Sequence, residues 1–206
     1  MDFDIAVVAN RHRKPLIVDY LKNIPHEIIY TPDFDLPNDW KCKPEYKNLT
    51  RFYHQQVGHY RCLMGHKLAL QTSDRNMLIL EDDAVPNRRD WFKLIEPAAK
   101  LLDRFELVSV HGREVKFGPF KEEPFNVKRN MSLWVPKNNT EPRWVLGSLA
   151  YFISRKAVQR FLDYEFVGMG CDLFIANCFH FALVNPSVFN HDRSQGSLID
   201  LPGRTV

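Results

Sequence analysis

Short apolar runs recur along the chain, alternating with polar loops and stretches of helical spacing. DIAVVA (Asp4 to Ala9) is a continuous apolar run with β-branched residues and predicts a buried strand. ANRHRK follows as a polar loop, and Pro15 suits the first turn of a helix through LIVDYLKN. HEIIY (His26 to Tyr30) then predicts a second strand, so the chain opens with the βαβ rhythm of an α/β sheet. The proline-rich stretch TPDFDLPNDWKCKPEYKN argues against regular structure. From Gln55 to about Gln71 helical spacing returns, with Val57, Tyr60, Leu63, Met64, Leu68 and Leu70 on one broad face. Gly58 and Gly65 interrupt that face and suggest close packing against a neighbour.

MLIL reads as another buried strand, RRDWFKLIEPAAKLLDRF as helical on both sides of Pro97, and LVSVH as strand. Residues Gly112 to Arg143 are polar and rich in Pro and Asn, and a loop of that length is either functional or hides short strands. VLGSLAYFIS then gives a strand, RKAVQRFLDY a helix, GMGCDLFIANCFHFAL a further helix, and ALVNPSVFNHD extended chain. The expected fold class is a single α/β domain, a central mixed sheet flanked by helices with an irregular C-terminal half.

Composition narrows this little. The chain has 206 residues, 45% hydrophobic and 26% charged, with a net charge of +3, so it fits one domain and nothing global demands nucleic acid or an acidic membrane. Basic clusters at Arg11, Arg13 and Lys14 and at Arg88-Arg89 read first as solvated surface. Cys42, Cys62, Cys171 and Cys178 show no C-x-x-C or zinc-knuckle spacing, which points to free, packed thiols in a reducing compartment. The start MDFDIAVVAN is unlike a secretory signal, and no segment approaches the ~18 apolar residues of a membrane span. A cytoplasmic location is therefore expected, and the sequons at Asn48, Asn130 and Asn138 read as chance matches.

The chemistry concentrates in MLILEDDAVP, where a buried strand runs straight into Glu81, Asp82 and Asp83. Three adjacent carboxylates repel one another. Either they form a solvated stop, or a hard cation such as Mg²⁺ or Mn²⁺ sits there and bridges to a substrate diphosphate. Ligands of open α/β sheets bind outside the carboxyl ends of the strands, which is where this triplet falls.

Several blocks in order resemble glycosyltransferase family 25. VGHYRCLMGHKLALQ matches its "G-x-x-x-C-x-x-S-H" helix, LILEDDAVP its "LILEDD", GSLAYFISRKAVQRFL its "G-x-x-x-Y-x-I-S-x-x-A" block and GCDLFIAN its "D" motif. The match runs from about Val57 to Ser197, is weak over Gly112 to Arg143, and puts Gly65 where the family has Ser. The resemblance implies a GT-A fold, in which 1–110 bind the nucleotide sugar and 111–206 the acceptor. It implies transfer of a sugar, with inversion, from a nucleotide-diphosphate sugar (a UDP-sugar first among them) with Mn²⁺ or Mg²⁺.

On that resemblance Glu81 and Asp83 take the outer positions of a D-x-D element, with Asp83 as direct metal ligand and Glu81 at the ribose or supporting the ion. Asp82 lies between them in the donor site, and His191 in FNHDRSQGS is the late metal ligand, or else a surface histidine. Asp172 is the acceptor's base, a helix cap, or both. Gly168 or Gly170 lets the backbone approach the acceptor. Asn10, Arg11 and Arg13 reach the nucleotide and its diphosphate. His66 is a packed histidine or part of the donor pocket. Ser148 and Tyr151 line the acceptor side, or Tyr151 is core.

Family relatives glycosylate bacterial oligosaccharides or hydroxylysine, and small phage relatives glycosylate hydroxylated DNA bases. For DNA, the basic clusters with Lys116, Lys121, Lys128 and Arg129 would follow phosphates, and Phe117, Phe120 and Trp134 would hold a flipped base. Two alternatives stand beside transfer. One is a non-catalytic nucleotide-sugar-binding domain, indifferent to loss of Asp172. The other is a carboxylate–metal phosphoryl-transfer enzyme, for which no second acidic cluster or Gly-rich phosphate loop is present.

Overall fold

The structure, a computed structural model, describes residues 1–12, 14–33, 35–41, 53–111, 120–125, 131–137, 147–168 and 170–192. Arg13, Cys42, the three sequons, Lys116, Phe117, Lys128 and Arg129 lie outside the described residues.

The apolar runs form one eight-stranded mixed sheet. Its strands are β1 (Phe3–Ala9), β2 (Glu27–Tyr30), β3 (Asn76–Glu81), β5 (Leu107–Ser109), β6 (Phe120–Pro124), β7 (Ser132–Pro136), β8 (Ala150–Ile153) and β9 (Phe181–Asn185), in the order β2-β1-β3-β8-β5-β9-β7-β6. β1 pairs in parallel with β2 and β3, and β5 with β9, while β8 lies antiparallel between β3 and β5. Strand β8 comes from the second half of the chain and sits between two strands of the first, so both halves share one sheet. A separate ribbon pairs β4 (Ala84–Pro86) with β10 (Phe189–His191).

The central strands are apolar on both faces because helices cover both. In β1, Phe3, Ile5, Val7 and Ala9 face one core, closed by α1 (Val18–Leu21) and α3 (Phe92–Lys100) through Leu21, Leu94, Ile95 and Ala98. Ala6 and Val8 face the other core, closed by α2 (Tyr53–Leu70), α4 (Arg155–Asp163) and α5 (Cys171–Cys178). The single α/β domain with a mixed sheet flanked by helices is thus as expected.

Several elements depart from the expectation. The helix expected from Pro15 shrinks to one turn, because the amides of Leu16 and Ile17 donate to the Asp82 carbonyl at 2.7 and 3.3 Å instead of extending a helix. α3 does run through Pro97 and ends in a 3₁₀ turn, Leu101–Asp103. α5 stops at Cys178, and the apolar stretch that follows becomes β9, claimed by pairing with β5 and β7. The segment Gly112 to Arg143 contains a hairpin, β6–β7, at the sheet edge. Phe120 and Trp134 of that hairpin pack on each other with centroids 6.2 Å apart and against the second core, and Lys121 pairs with Glu123 at 3.1 Å.

α2 buries only part of the face expected. Leu68 is exposed, whereas Gly65, His66, Ala69 and Leu70 are buried with Val57 and Leu63. Gly65 is the reason the helix lies so close: a Cβ there would stand 2.7 Å from Thr31 Cγ2 and 2.9 Å from Val8 Cγ1. Gly65→Ser is therefore expected to destabilise the fold by about 1–3 kcal/mol through overpacking. A denaturant midpoint equal to that of the parent would show that Thr31 and Val8 yield freely.

The far ends of α4 and β5 are tied by Glu106, which accepts both Arg160 guanidinium nitrogens (2.9 and 2.6 Å) and the His180 amide (2.9 Å). Partial burial pushes the Glu106 carboxyl up, but Arg160 and the amide outweigh it and hold it below its usual range. Stability from this lowered carboxyl is present above the unfolded value and is lost as pH falls through the lower folded one. With Arg160 half-exposed, the contribution is about 1 kcal/mol. Thermal melts should show Glu106→Gln less stable than the parent near neutral pH and the gap closing below about pH 4. A gap that persists in acid would exclude the charge as its source.

Candidate functional site

The ends of β1, β3 and β5 meet at one edge of the sheet, and the carboxylate turn lies there. Alternation along β3 divides the triplet. Met77 and Ile79 face the α2 side and Leu78 and Leu80 the α1 side. Glu81 therefore points toward α2, and Asp82 toward the loop after β1.

Asp82 and Asp83 are 1% and 3% exposed, so the turn is not a solvated stop. Asp82 Oδ2 accepts the Asn10 amide at 2.7 Å, while the Asp82 amide donates to Val8 and its carbonyl receives Leu16 and Ile17. The middle residue thus locks the β1 loop to the turn. Asp83 is directed to the ribbon: Ala84 lies opposite His191, and the Asp192 amide donates to the Asp83 carbonyl at 2.9 Å. That register brings His191 Nε2 to 2.7 Å from Asp83 Oδ2, across 108 residues of sequence.

Glu81 stands in a second, more deeply packed cluster. Ser148 Oγ donates to its Oε1 at 2.5 Å, and His66 Nε2 lies 3.4 Å from the same oxygen. His66 is fully buried, its Nδ1 lies 2.9 Å from the Tyr151 hydroxyl, and its ring stacks on Tyr151. Burial opposes charge on His66, but the Cys62 sulfur and the Glu81 carboxylate outweigh it and raise the imidazole to about 10. Burial likewise pushes Glu81 up, yet His66, Ser148 and His191 bring it down to about 2. The Cys62 thiol is lowered chiefly by its hydrogen bond with Cys171, whose own thiol burial raises. Cys62, Cys171 and Cys178 are all free thiols, as expected.

Asp172 is not the cap of α5, a position that Gly170 holds without a side-chain cap bond; it lies in the first turn, where its Oδ1 accepts the Leu173 amide at 2.9 Å. It also lies beside His59 of α2: a Cβ on Gly170 would meet Asp172 Oδ1 at 2.8 Å and His59 Nδ1 at 2.9 Å. Burial lowers the His59 imidazole more than Asp172 raises it. Gly168 takes φ 96°, a left-handed conformation that favours glycine.

The structure thus brings Glu81, Asp82, Asp83, His191, His66 and Asn10 to one edge, and joins Asp172 to them through α2. Arg11 is exposed in the loop after β1, and Arg88 pairs with Asp90 at 3.2 Å. Ser148 donates to Glu81, and Tyr151 is fully buried core with a hydroxyl toward His66. Sequence reasoning missed His59, Cys62 and His111. The first two carried a signal, since 59, 62 and 66 recur at one-turn spacing on one helix face. His111 ends the LVSVH run beside Gly147, and its Nδ1 contacts the Phe189 carbonyl at 2.9 Å, holding the ribbon to the sheet.

No protein-family model and no curated protein matches the chain. Among solved structures it is similar to the crystal structure of A197 from STIV, with a TM-score of 0.52 and 14% identity over 92% of this chain and 85% of that one. At that identity the likeness concerns the fold alone. No helix among the described residues is long and apolar enough to cross a membrane.

Proposed function

We propose that the protein is a metal-dependent inverting glycosyltransferase, moving a sugar from a nucleotide-diphosphate sugar, a UDP-sugar first, to a hydroxyl of an oligosaccharide or a hydroxylated DNA base. The observation that carries this reading is the contact of the buried Asp83 with the half-buried His191 at the carboxyl edge of β1 and β3. A carboxylate and an imidazole joined across two segments fit Mn²⁺ or Mg²⁺, whose remaining positions a diphosphate fills. Bound there, the ion would stabilise negative charge on the departing diphosphate.

The chain's own groups supply the rest. Asn10 and Arg11 follow β1 and face a nucleotide laid along the sheet edge, with Asp82 fixing their loop. Glu81, held by Ser148 and His66, keeps a negative charge at the strand end. Asp172 takes the acceptor hydroxyl proton as the new glycosidic C–O bond forms and the bond to the diphosphate oxygen breaks. His59 lies beside that carboxylate. The resemblance to glycosyltransferase family 25 in the same blocks supports the assignment.

The test is a screen of nucleotide sugars for hydrolysis and transfer, with and without Mn²⁺, against oligosaccharide and hydroxymethylated DNA acceptors. Metal-dependent release of nucleoside diphosphate supports the reading, and the productive acceptor decides between the two. Binding of nucleotide sugar without turnover would favour a non-catalytic module, and full turnover in chelator would remove the metal.

A further inference from the structure

We propose that Cys62, His66 and Glu81 form a zinc site separate from the Asp83–His191 pair. Cys62 and His66 are one turn apart on the same face of α2, and Glu81 ends the strand beneath them. One ligand atom from each (thiol sulfur, imidazole nitrogen, carboxylate oxygen) lies within 4.8 Å of the other two. The second observation is His66 itself, which is fully buried and whose Nε2 makes no hydrogen bond among the described residues.

Its ring is oriented from behind. Nδ1 lies 2.9 Å from the Tyr151 hydroxyl; in the tautomer that carries its hydrogen on Nδ1, the Nε2 lone pair is aimed at sulfur and carboxylate. Metal-bound histidines are characteristically fixed this way through their other nitrogen. Three such donors converging in a buried space are satisfied either by a shared proton, on Nε2 or on the Cys62 sulfur, or by a metal ion. The Nε2···Oε1 separation of 3.4 Å is long for a charged hydrogen bond. It equals the edge of a tetrahedron with metal–ligand bonds of about 2.0–2.1 Å.

The donor set of sulfur, nitrogen and oxygen suits zinc rather than Mg²⁺ or Mn²⁺. Ser148 fixes the Glu81 carboxylate, and the thiol of Cys171 hydrogen-bonds to Cys62, so the site also reaches α5. A zinc ion there would clamp α2, β3 and α5 together and hold His59 and Asp172 in register at the sheet edge.

Metal analysis and cobalt substitution of the full chain, purified without chelator, test this. About one zinc per chain is expected, and Co²⁺ should give a near-ultraviolet sulfur-to-metal charge-transfer band. Cys62→Ser should abolish that band. Tyr151→Phe should weaken binding about 10- to 100-fold while keeping it. Asp83→Asn and Cys178→Ser should leave band and affinity unchanged, which separates this site from the proposed donor site. If Cys62→Ser does not fold, the Tyr151→Phe and Cys178→Ser arms still decide. Neither zinc nor cobalt retained after dialysis would overturn the proposal and leave a protonated His66. A cobalt band that survives Cys62→Ser, or vanishes in Asp83→Asn, would overturn it equally.

Discussion

Asp83→Asn is expected to lower metal-dependent turnover by about 10³-fold with the fold intact, since the replacement keeps shape and removes only the charge that would hold the ion. The side chain is buried at the strand end, and His191 lies 2.7 Å away, so an amide in the same place still fills the space. His191→Ala should cost less, about 10- to 100-fold, because the carboxylate retains most of the attraction. The split matters. Loss in both variants, with the Mn²⁺ requirement shifted upward, assigns the pair to the metal. Turnover in Asp83→Asn equal to that of the parent would show that the ion, if needed, is held elsewhere.

His66→Ala is expected to have the largest effect on stability, about 3–5 kcal/mol, because it strands Glu81 beside a hole in the core. For a chain of this length that is a fall in melting temperature of roughly 6–20 °C. The effect has two sources: the lost ring stack with Tyr151, and the carboxylate left with Ser148 as its hydrogen-bond donor. Replacing His66 and Glu81 together with leucines should recover much of the loss, since removing both members of a buried pair is far milder than removing one. If the double variant is as unstable as the sum of the singles, the two residues do not act as a pair. Circular dichroism melts of the parent, His66→Leu, Glu81→Leu and the double variant provide the comparison.

The sheet was legible because its strands are apolar on both faces, and DIAVVA and MLIL can hardly be anything but central strands. The triplet was legible as a candidate site for the same reason: polarity begins abruptly where the strand ends. Less visible was what each carboxylate meets. That depends on strand parity and on register with β10, neither of which a local pattern encodes. The buried face of α2 was only partly legible, because some of its contacts are made by Gly65 and His66, which hydrophobicity does not mark. The end of α5 was misread because FHFAL has no period, and pairing on both sides of β9 decides it.

The β4–β10 ribbon carries a consequence for the order in which the protein is made. Asp83 leaves the ribosome long before His191, which follows 108 residues later. Until then the carboxylate has a strand beneath it but no imidazole across from it. A nascent chain can therefore lay down β1, β2 and β3 and their helix while the Asp83–His191 pair is still incomplete. On the proposed function, activity would switch on only as the ribbon closes.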